Sequence, residues 1–172
     1  MGKDTNGVFS GMKLIMYYCF IVEGLEAAPQ GSKRHVGNGR MIESSKKVTP
    51  WREAVRLEAN KNVGEIIQEP VHVELVFWFM RPKSHLNAKG ETRQSAPRFP
   101  TSKNRGDIDK LCRRTLDALT LSAFADDSQV VSLQARKYYC DNKQPGPKKP
   151  GAMITIQSTD RVYETNLMGA LP

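Results

Sequence analysis

The clearest hydrophobic pattern in the chain is an alternation of inward and outward positions from Val71 to Phe79. A repeat of two residues is typical of a strand with one face in the core. The face predicted to point inward carries Val71, Val73, Leu75, Phe77 and Phe79, and the other carries His72, Glu74, Val76 and Trp78. Trp78 is interpreted as a packing residue, with stacking on a nucleic-acid base as the alternative.

Between Asp107 and Leu119 the pattern changes to a helical one. Residues three or four positions apart form one predicted core face, which carries Ile108, Leu111, Cys112, Thr115, Leu116 and Leu119. A second face carries Asp109, Arg113 and Asp117, each four residues after the last. The spacing predicts an amphipathic helix whose polar face is open to a ligand. Because Cys112 lies on the core face, it is interpreted as a packing residue and not as a nucleophile.

The first apolar run, Tyr17 to Val22, is rich in residues that favour strands. We interpret it as a buried first strand. A signal peptide is the alternative, because Lys13 precedes the run and Glu26-Ala27-Ala28 follows it. The run is too short to span a membrane, since a spanning helix needs roughly 20 apolar residues.

The remaining elements complete a fold prediction. Thr49 and Pro50 suit an N-cap and a first helical position, so a helix is expected from there to about Asn62. Val130–Tyr139 and Ala152–Gln157 are predicted to be the two strands of a β-hairpin. The element order predicts an α+β domain, with a mixed or mostly antiparallel sheet of about four strands and two main helices.

We expect one domain over residues 14–158, with tails at 1–13 and 159–172. The chain has 172 residues, with 26 Lys plus Arg against 18 Asp plus Glu, a formal net charge of +8 and a pI near 9.5. This balance favours a polyanionic partner without naming one. The three cysteines are widely spaced and form no C-x-x-C pair, which favours a reducing cytoplasm over a zinc site or a disulfide framework.

The segment from Pro82 to Gly106 lacks periodicity and carries six basic residues against the single acid Glu91. A structureless loop of this length in a compact domain is usually functional or disordered. We interpret it as a mobile basic arm that lies along DNA and becomes ordered on binding. A solvated flexible loop is the alternative.

Four carboxylates, Asp107, Asp109, Asp126 and Asp127, fall within 21 residues of this basic chain. Carboxylate oxygens are the ligands that Mg²⁺ prefers, and a basic surface would hold the phosphate of a substrate. The alternative is structural: Asp107 caps the helix, Asp109 interacts with the helix dipole, and Asp126-Asp127 forms a turn before a strand.

The acidic helix and its surroundings resemble a known family. The run Asp107–Leu119, the segment Phe124–Val130 and the strand end Arg136-Lys137 are together similar to the signature of RusA-family Holliday junction resolvases. Upstream, Pro29–Lys33 resembles the first basic loop of that family, and Pro50–Val55 resembles the start of its first helix. The likeness covers most of the chain, and the ordered combination is specific where no single piece is.

The resemblance implies a homodimeric, Mg²⁺-dependent endonuclease of phages and prophages, with Mn²⁺ as a substitute metal. It implies that Asp107, Asp109 and Asp127 are the catalytic, metal-binding carboxylates, with Asp126 as an outer ligand. The catalytic lysine of the family falls on Arg113, which keeps the charge but cannot donate a proton in any ordinary sense, because a guanidinium group stays protonated in proteins. Lys110 and the segment 104–106 also depart from the family pattern.

The expected function is therefore structure-selective cleavage of four-way (Holliday) DNA junctions by paired symmetric nicks, in DNA recombination and repair in the bacterial cytoplasm. The residues expected to contact DNA are Lys33, Arg34, Lys46, Lys47, Lys103, Arg105, Lys110 and Arg114. Two alternatives stay open: a nucleic-acid-binding module without catalysis, and a nuclease that acts on flaps or forks. A dependence on Mg²⁺ would separate the binding module from either nuclease.

Overall fold

The computed structural model describes residues 15–28, 33–35, 41–43, 48–140 and 147–159. Its elements, in chain order, are β1 (Tyr17–Glu23), β2 (Lys33–His35), β3 (Met41–Glu43), α1 (Val48–Asn62), β4 (Val71–Phe79), α2 (Ile108–Leu119), β5 (Val130–Tyr139) and β6 (Gly151–Ser158). The predicted tails lie outside the described residues, except for Thr159, whose backbone N–H donates to the carbonyl of Pro70 at 2.8 Å.

The main sheet has four strands in the order β1-β6-β4-β5. β4 is parallel to β5 and antiparallel to β6, and β6 is antiparallel to β1. β2 and β3 form a separate antiparallel pair. The predicted class is confirmed: an α+β fold with a four-stranded mixed sheet and two helices.

The predicted hairpin between β5 and β6 is wrong, because β4 lies between these two strands. Leu75 of β4 is the partner of Ala135 on one side and of Ile154 on the other. The physical reason is burial: every residue of the inward face of β4, from Val71 to Phe79, is at most 1% exposed. The most apolar strand takes the central position, and this outweighs the closeness of β5 and β6 in sequence.

Both helices pack on the inward face of β4. The indole of Trp51 in α1 lies 6.5 Å from the ring of Phe77, centroid to centroid. Its Nε1–H donates to Oγ1 of Thr115 in α2 at 3.3 Å, in a buried hydrogen bond. Trp51 therefore joins both helices to the sheet. Trp78, on the other face of β4, is half-buried.

Three details of the predicted elements need correction. Ile108 was expected in the core but is 39% exposed, because it precedes the turn at which α2 first becomes buried, at Leu111. β1 is an edge strand with one buried face, so Tyr17 and Ile21 are exposed while Phe20 and Val22 are buried. α1 begins at Val48, slightly before the predicted start.

The expectation of a structureless stretch between Pro82 and Gly106 is wrong. Single 3₁₀ turns form at Lys83–His85 and Lys103–Arg105. Oδ1 of Asn87 accepts hydrogen bonds from the backbone N–H groups of Lys89 and Glu91, each at 2.9 Å. Such side-chain-to-backbone bonds define a conformation that hydrophobic periodicity does not reveal. The ordering of this segment on DNA stays a prediction.

Within the described ranges, neither helix is long and apolar enough to cross a bilayer. α1 has 15 residues and α2 has 12, whereas a spanning helix needs roughly 20. All three cysteines are free thiols. Burial raises the pKa of Cys112 to about 11, which supports its interpretation as a packing residue.

Candidate active site at the two ends of α2

Asp107 occupies the N-cap position of α2, but its side chain does not cap the helix. Its carboxylate is 65% exposed and pairs with Nζ of Lys110 at 2.7 Å. This hydrogen bond and the charge of Lys110 hold the pKa of Asp107 below its ordinary value, so the group is ionised at neutral pH. The structure therefore does not support the alternative in which Asp107 serves only as a cap.

Asp109 and Arg113 lie on the exposed side of the same helix. Asp109 is in the first turn of α2, where the helix dipole favours negative charge, and Arg113 follows four residues later. Asp107 and Asp109 are exposed oxygen donors, and the positively charged side chain of Arg113 lies one turn further along the helix. Exposed, ionised oxygen donors fit a hard divalent cation such as Mg²⁺.

The backbone that leads into α2 is held by hydrogen bonds from residues that are distant in sequence. Gly106 adopts a positive φ of 72°, a conformation that favours glycine. Its carbonyl accepts a hydrogen bond from Nζ of Lys137 in β5 at 2.8 Å. The guanidinium of Arg105 donates to Oε1 of Glu26 at 2.6 Å and to the carbonyl of Met80 at 2.7 Å.

The second acidic pair lies before β5, in a 3₁₀ turn over Asp127–Gln129. Here Asp126 does cap: its Oδ1 accepts from the backbone N–H of Ser128 at 2.9 Å, and Oε1 of Gln129 accepts from the N–H of Asp126 at 2.8 Å. The hydrogen bonds from Ser128 lower the pKa of Asp126. Asp126 is thus committed to a capping box, whereas Asp127 is an exposed residue in the first turn.

The two acidic pairs lie at opposite ends of α2. Gly106, next to Asp107, is bound by Lys137 near the end of β5, whereas Asp127 comes just before Val130 at the start of the same strand. From Val130 to Lys137 an extended strand rises about 23 Å. Among the described residues, no three His, Cys, Asp or Glu side chains are grouped to hold a metal ion. Within one chain, Asp107 and Asp109 are therefore neighbours at the start of α2, and Asp127 forms no three-carboxylate group with them.

The predicted DNA contacts divide into three groups. Lys103 and Lys110 are exposed. Arg105, with a side chain only 16% exposed, is held by internal partners, and Arg114 is buried at 7% exposure, so neither offers its charge to a ligand at the surface. Of the others, Lys33 and Arg34 lie in β2, and Lys46 and Lys47 lie outside the described residues.

Sequence reasoning missed the role of Glu26. It lies 79 residues from Arg105 along the chain, and no periodicity links the two. The role of Lys137 was also not foreseen beyond its place in a basic strand end. The one available signal was the position of Arg105, directly before a glycine and the first acid.

The fold and the exposed acids define the chain as a small, basic α+β domain with exposed carboxylates at the start of its second helix. The family model described as "Endodeoxyribonuclease RusA" matches residues 25–156, which is most of the chain. The chain therefore belongs to the RusA endodeoxyribonuclease family. The matched range contains both acidic pairs, Arg113 and the contacts that fasten Gly106.

A curated relative matches this chain over a similar length of sequence. The chain is 29% identical over 118 residues to "Uncharacterized protein YqaN" of Bacillus subtilis (strain 168). The match covers 67% of this chain and 81% of that protein. The description of this relative names no activity, so it supports the length of the shared domain and not its chemistry.

Proposed function

We propose that this protein is a Mg²⁺-dependent, structure-selective endodeoxyribonuclease that resolves four-way DNA junctions by paired symmetric nicks. Its setting would be phage or prophage DNA recombination and repair, in the cytoplasm of the bacterial host. The observation that carries the proposal is the ionised carboxylate of Asp107 beside Asp109 at the start of α2, exposed and not used as a cap. Membership of the RusA family implies a DNA substrate, and the net charge of +8 suits one.

Asp107 and Asp109 are the residues that would hold Mg²⁺, or Mn²⁺ in its place, with Asp127 as the third carboxylate. A bound cation supplies an activated water and stabilises the charge on the leaving oxygen. Lys110 would have to release Oδ2 of Asp107 first, and because this pair is exposed, the interaction is weak and screened by salt. Arg113 would neutralise charge on the scissile phosphate, a role that a guanidinium fork suits.

A second copy of the chain would complete the site. β5 is an outer strand of the sheet, and among the described residues Val131 and Leu133 on it are 63% and 44% exposed. If two β5 strands paired antiparallel about a twofold axis, the acidic start of one strand would meet the basic end of the other. Asp127 of the partner subunit would then lie near Asp107, with Asp126-Asp127 opposite Arg136-Lys137.

The proposal is tested by incubating the protein with a labelled synthetic four-way junction and, in parallel, with a linear duplex of the same sequence. Each substrate is tested with Mg²⁺ and with EDTA. The expected result is paired nicks at symmetric positions, confined to the junction and lost in EDTA. Cleavage of the linear duplex at the same rate, or no cleavage of any substrate, would overturn the proposal.

A binding module without catalysis is the second candidate, and Arg113 is the observation that favours it. If the family lysine acts as a proton donor, arginine cannot replace it. Such a module would bind junctions with an affinity that falls steeply with salt and does not depend on Mg²⁺. Arg113→Lys distinguishes the cases: it should preserve or raise cleavage in a nuclease that needs only the charge, and create cleavage in a module that lost the donor.

A nuclease that acts on flaps or forks differs from the main proposal only in substrate. A panel of junctions, flaps and forks with matched arm sequences compares the rates directly. The main proposal requires the four-way junction to be cleaved fastest. A faster rate on a flap would assign the same site to another branched DNA.

A further inference from the structure

We infer that Glu26, Arg105 and Lys137 are positioning residues for the acidic start of α2. They fasten the chain just before Asp107 to the sheet and thereby set where the carboxylates of Asp107 and Asp109 lie. The inference rests on the proposed function, because it concerns the same site. It adds residues that touch neither the substrate nor the metal.

Arg105 provides the first anchor. One arm of its guanidinium binds Oε1 of Glu26, in the segment after β1, and the other binds the carbonyl of Met80, just after β4. The same carboxylate oxygen of Glu26 accepts the backbone N–H of Met80 at 3.0 Å. The guanidinium also lies over the ring of Phe79, 5.6 Å from its centroid. With side chains 16% and 27% exposed, this ion pair is better shielded from solvent than an ordinary surface pair.

Lys137 provides the second anchor, one residue further along. Its Nζ donates to the carbonyl of Gly106 at 2.8 Å, while the N–H of Gly106 donates to the carbonyl of Lys103 at 3.1 Å. The positive φ of Gly106 turns the chain directly into α2. Both polar groups of this glycine backbone are therefore occupied immediately before Asp107.

The carboxylate of Asp107 has little else to hold it. It makes no cap hydrogen bond, and its partner Lys110 is an exposed, flexible side chain. Ligands of a metal or of a transition state must be held to within about 0.5 Å, which requires support from the residues behind them. At this helix start, the described contacts that could provide such support are those of Arg105 and Lys137.

The chain offers a matched control for Arg105. Nη1 of Arg136 pairs with Oε1 of Glu74 at 2.6 Å, the same atoms at the same distance as in the pair of Arg105 and Glu26. This second pair links β5 to β4 across the sheet and does not lead to an acidic residue of the candidate site. Breaking either pair removes one arginine–glutamate contact, but only the loss of the pair between Arg105 and Glu26 should move Asp107.

The experiment compares Arg105→Gln and Lys137→Met with Glu74→Gln, which breaks the second pair from the β4 side and leaves Arg136 in place at the strand end that the proposed dimer uses. It measures kcat and junction Kd, and two quantities independent of cleavage: Mn²⁺ affinity by electron paramagnetic resonance, and hydrogen exchange of a peptide covering residues 106–112. For Arg105→Gln we expect roughly a tenfold or larger loss of kcat or metal affinity, faster exchange in that peptide, and a junction Kd within about twofold of wild type. Glu74→Gln should change none of these. Arg105→Lys, which keeps the charge but not the fork, should give an intermediate loss.

The inference is overturned if Arg105→Gln and Glu74→Gln have equal effects, or if exchange in the peptide is unchanged. Where Arg105→Gln does not fold, Lys137→Met decides, because it leaves the anchor of Arg105 intact and removes the contact to Gly106, together with one positive charge near Asp107. Failure of the proposed function is a separate outcome. A wild-type protein that cleaves no DNA would refute the nuclease, while hydrogen exchange and Mn²⁺ affinity would still report whether the anchors position the acids.

Discussion

The acidic pairs at the two ends of α2 each begin with an aspartate at an N-cap position, but the side chains of these two aspartates have different partners. Asp107 and Asp126 each stand at an N-cap, followed three residues later by Lys110 and Gln129 respectively. Gln129 completes a capping box, in which the carboxylate of Asp126 accepts the backbone N–H of Ser128. Lys110 instead draws Asp107 outward into an exposed ion pair.

In these two turns the residue three positions after the N-cap aspartate differs, and the partner of the carboxylate differs with it. The glutamine accepts the backbone N–H of the cap residue and completes the box. The lysine cannot accept that hydrogen bond, and it pairs with the carboxylate instead. We therefore expect catalytic sensitivity at Asp107 and Asp109, and conformational sensitivity at Asp126.

The largest expected effect is on cleavage. Asp107→Asn and Asp109→Asn should each reduce junction cleavage roughly a hundredfold or more, with junction binding retained, because each removes a charged oxygen donor. Asp117→Asn, on the same helix face two turns further along, is the matched control and should cleave normally. Gel assays of cleavage and binding on one labelled junction measure both effects. Equal losses in all three variants would mean that the acids act on helix stability.

The separation of the two pairs is tested next, with mixed dimers. Asp109→Asn and Asp127→Asn chains carrying different tags are expressed together, and the heterodimer is purified through both tags. If each site combines Asp109 of one chain with Asp127 of its partner, the heterodimer has one intact site and one that carries both substitutions. It should nick one strand of the junction, whereas both parent homodimers should be inactive. A heterodimer as inactive as its parents would place all three acids of a site in one chain.

A substitution that gives the turn at Asp107 the capping pattern of the turn at Asp126 has a smaller expected effect on cleavage. Lys110→Gln gives Asp107 the same spacing to glutamine that Asp126 has to Gln129, so a capping box can form and withdraw the carboxylate. We expect cleavage to fall several-fold while the midpoint of thermal unfolding rises slightly. Lys110→Met removes the same charge but cannot form the box, and it controls for lost contact with DNA. If both variants lose cleavage equally, the charge of Lys110 matters and not its failure to complete the cap.

The smallest expected effect concerns stability and pH. Asp126→Ala should lower the thermal midpoint at neutral pH more than Asp107→Ala does, because only Asp126 caps a turn. The pKa of Asp126 is lowered in the folded protein, so its contribution is present above the ordinary value of 3.8 and is lost as the pH falls through the lowered value. The difference between wild type and Asp126→Ala should shrink over that acidic range in calorimetry. A difference that is constant with pH would mean that the charged cap contributes little.

Much of the fold could be predicted from periodicity. The two-residue repeat of β4 and the helical repeat of α2 each reflect one buried face, and both elements are confirmed. The strand order could not be predicted in the same way. The pairing of β6 with β4 depends on which strand buries the most surface in the whole sheet, and the sequence of one strand does not show how its burial compares with that of the others.

The candidate site was predictable as a set of residues but not as an arrangement. The acids and Arg113 could be chosen because their types suit metal and phosphate. That Arg105 faces inward could not be foreseen, since its partner Glu26 is distant in sequence. Nor could sequence show that Asp107 and Asp127 are separated by most of the length of β5, because that depends on the contact between Lys137 and the carbonyl of Gly106.

The pairing of β1 with β6 affects how the protein is made. Among the described strands β1 pairs with β6 alone, and the N–H of Met16 binds Oγ of Ser158 across 142 residues of sequence. A chain emerging from the ribosome therefore cannot complete its sheet until residues 151–158 have left the ribosome. Until then, the edge of β4 that pairs with β6 is unpaired and its apolar face is incompletely covered. We expect nascent chains that stop before Gly151 to need protection by chaperones. The amount of folded protein would then depend on how soon β6 can pair with β4 and β1.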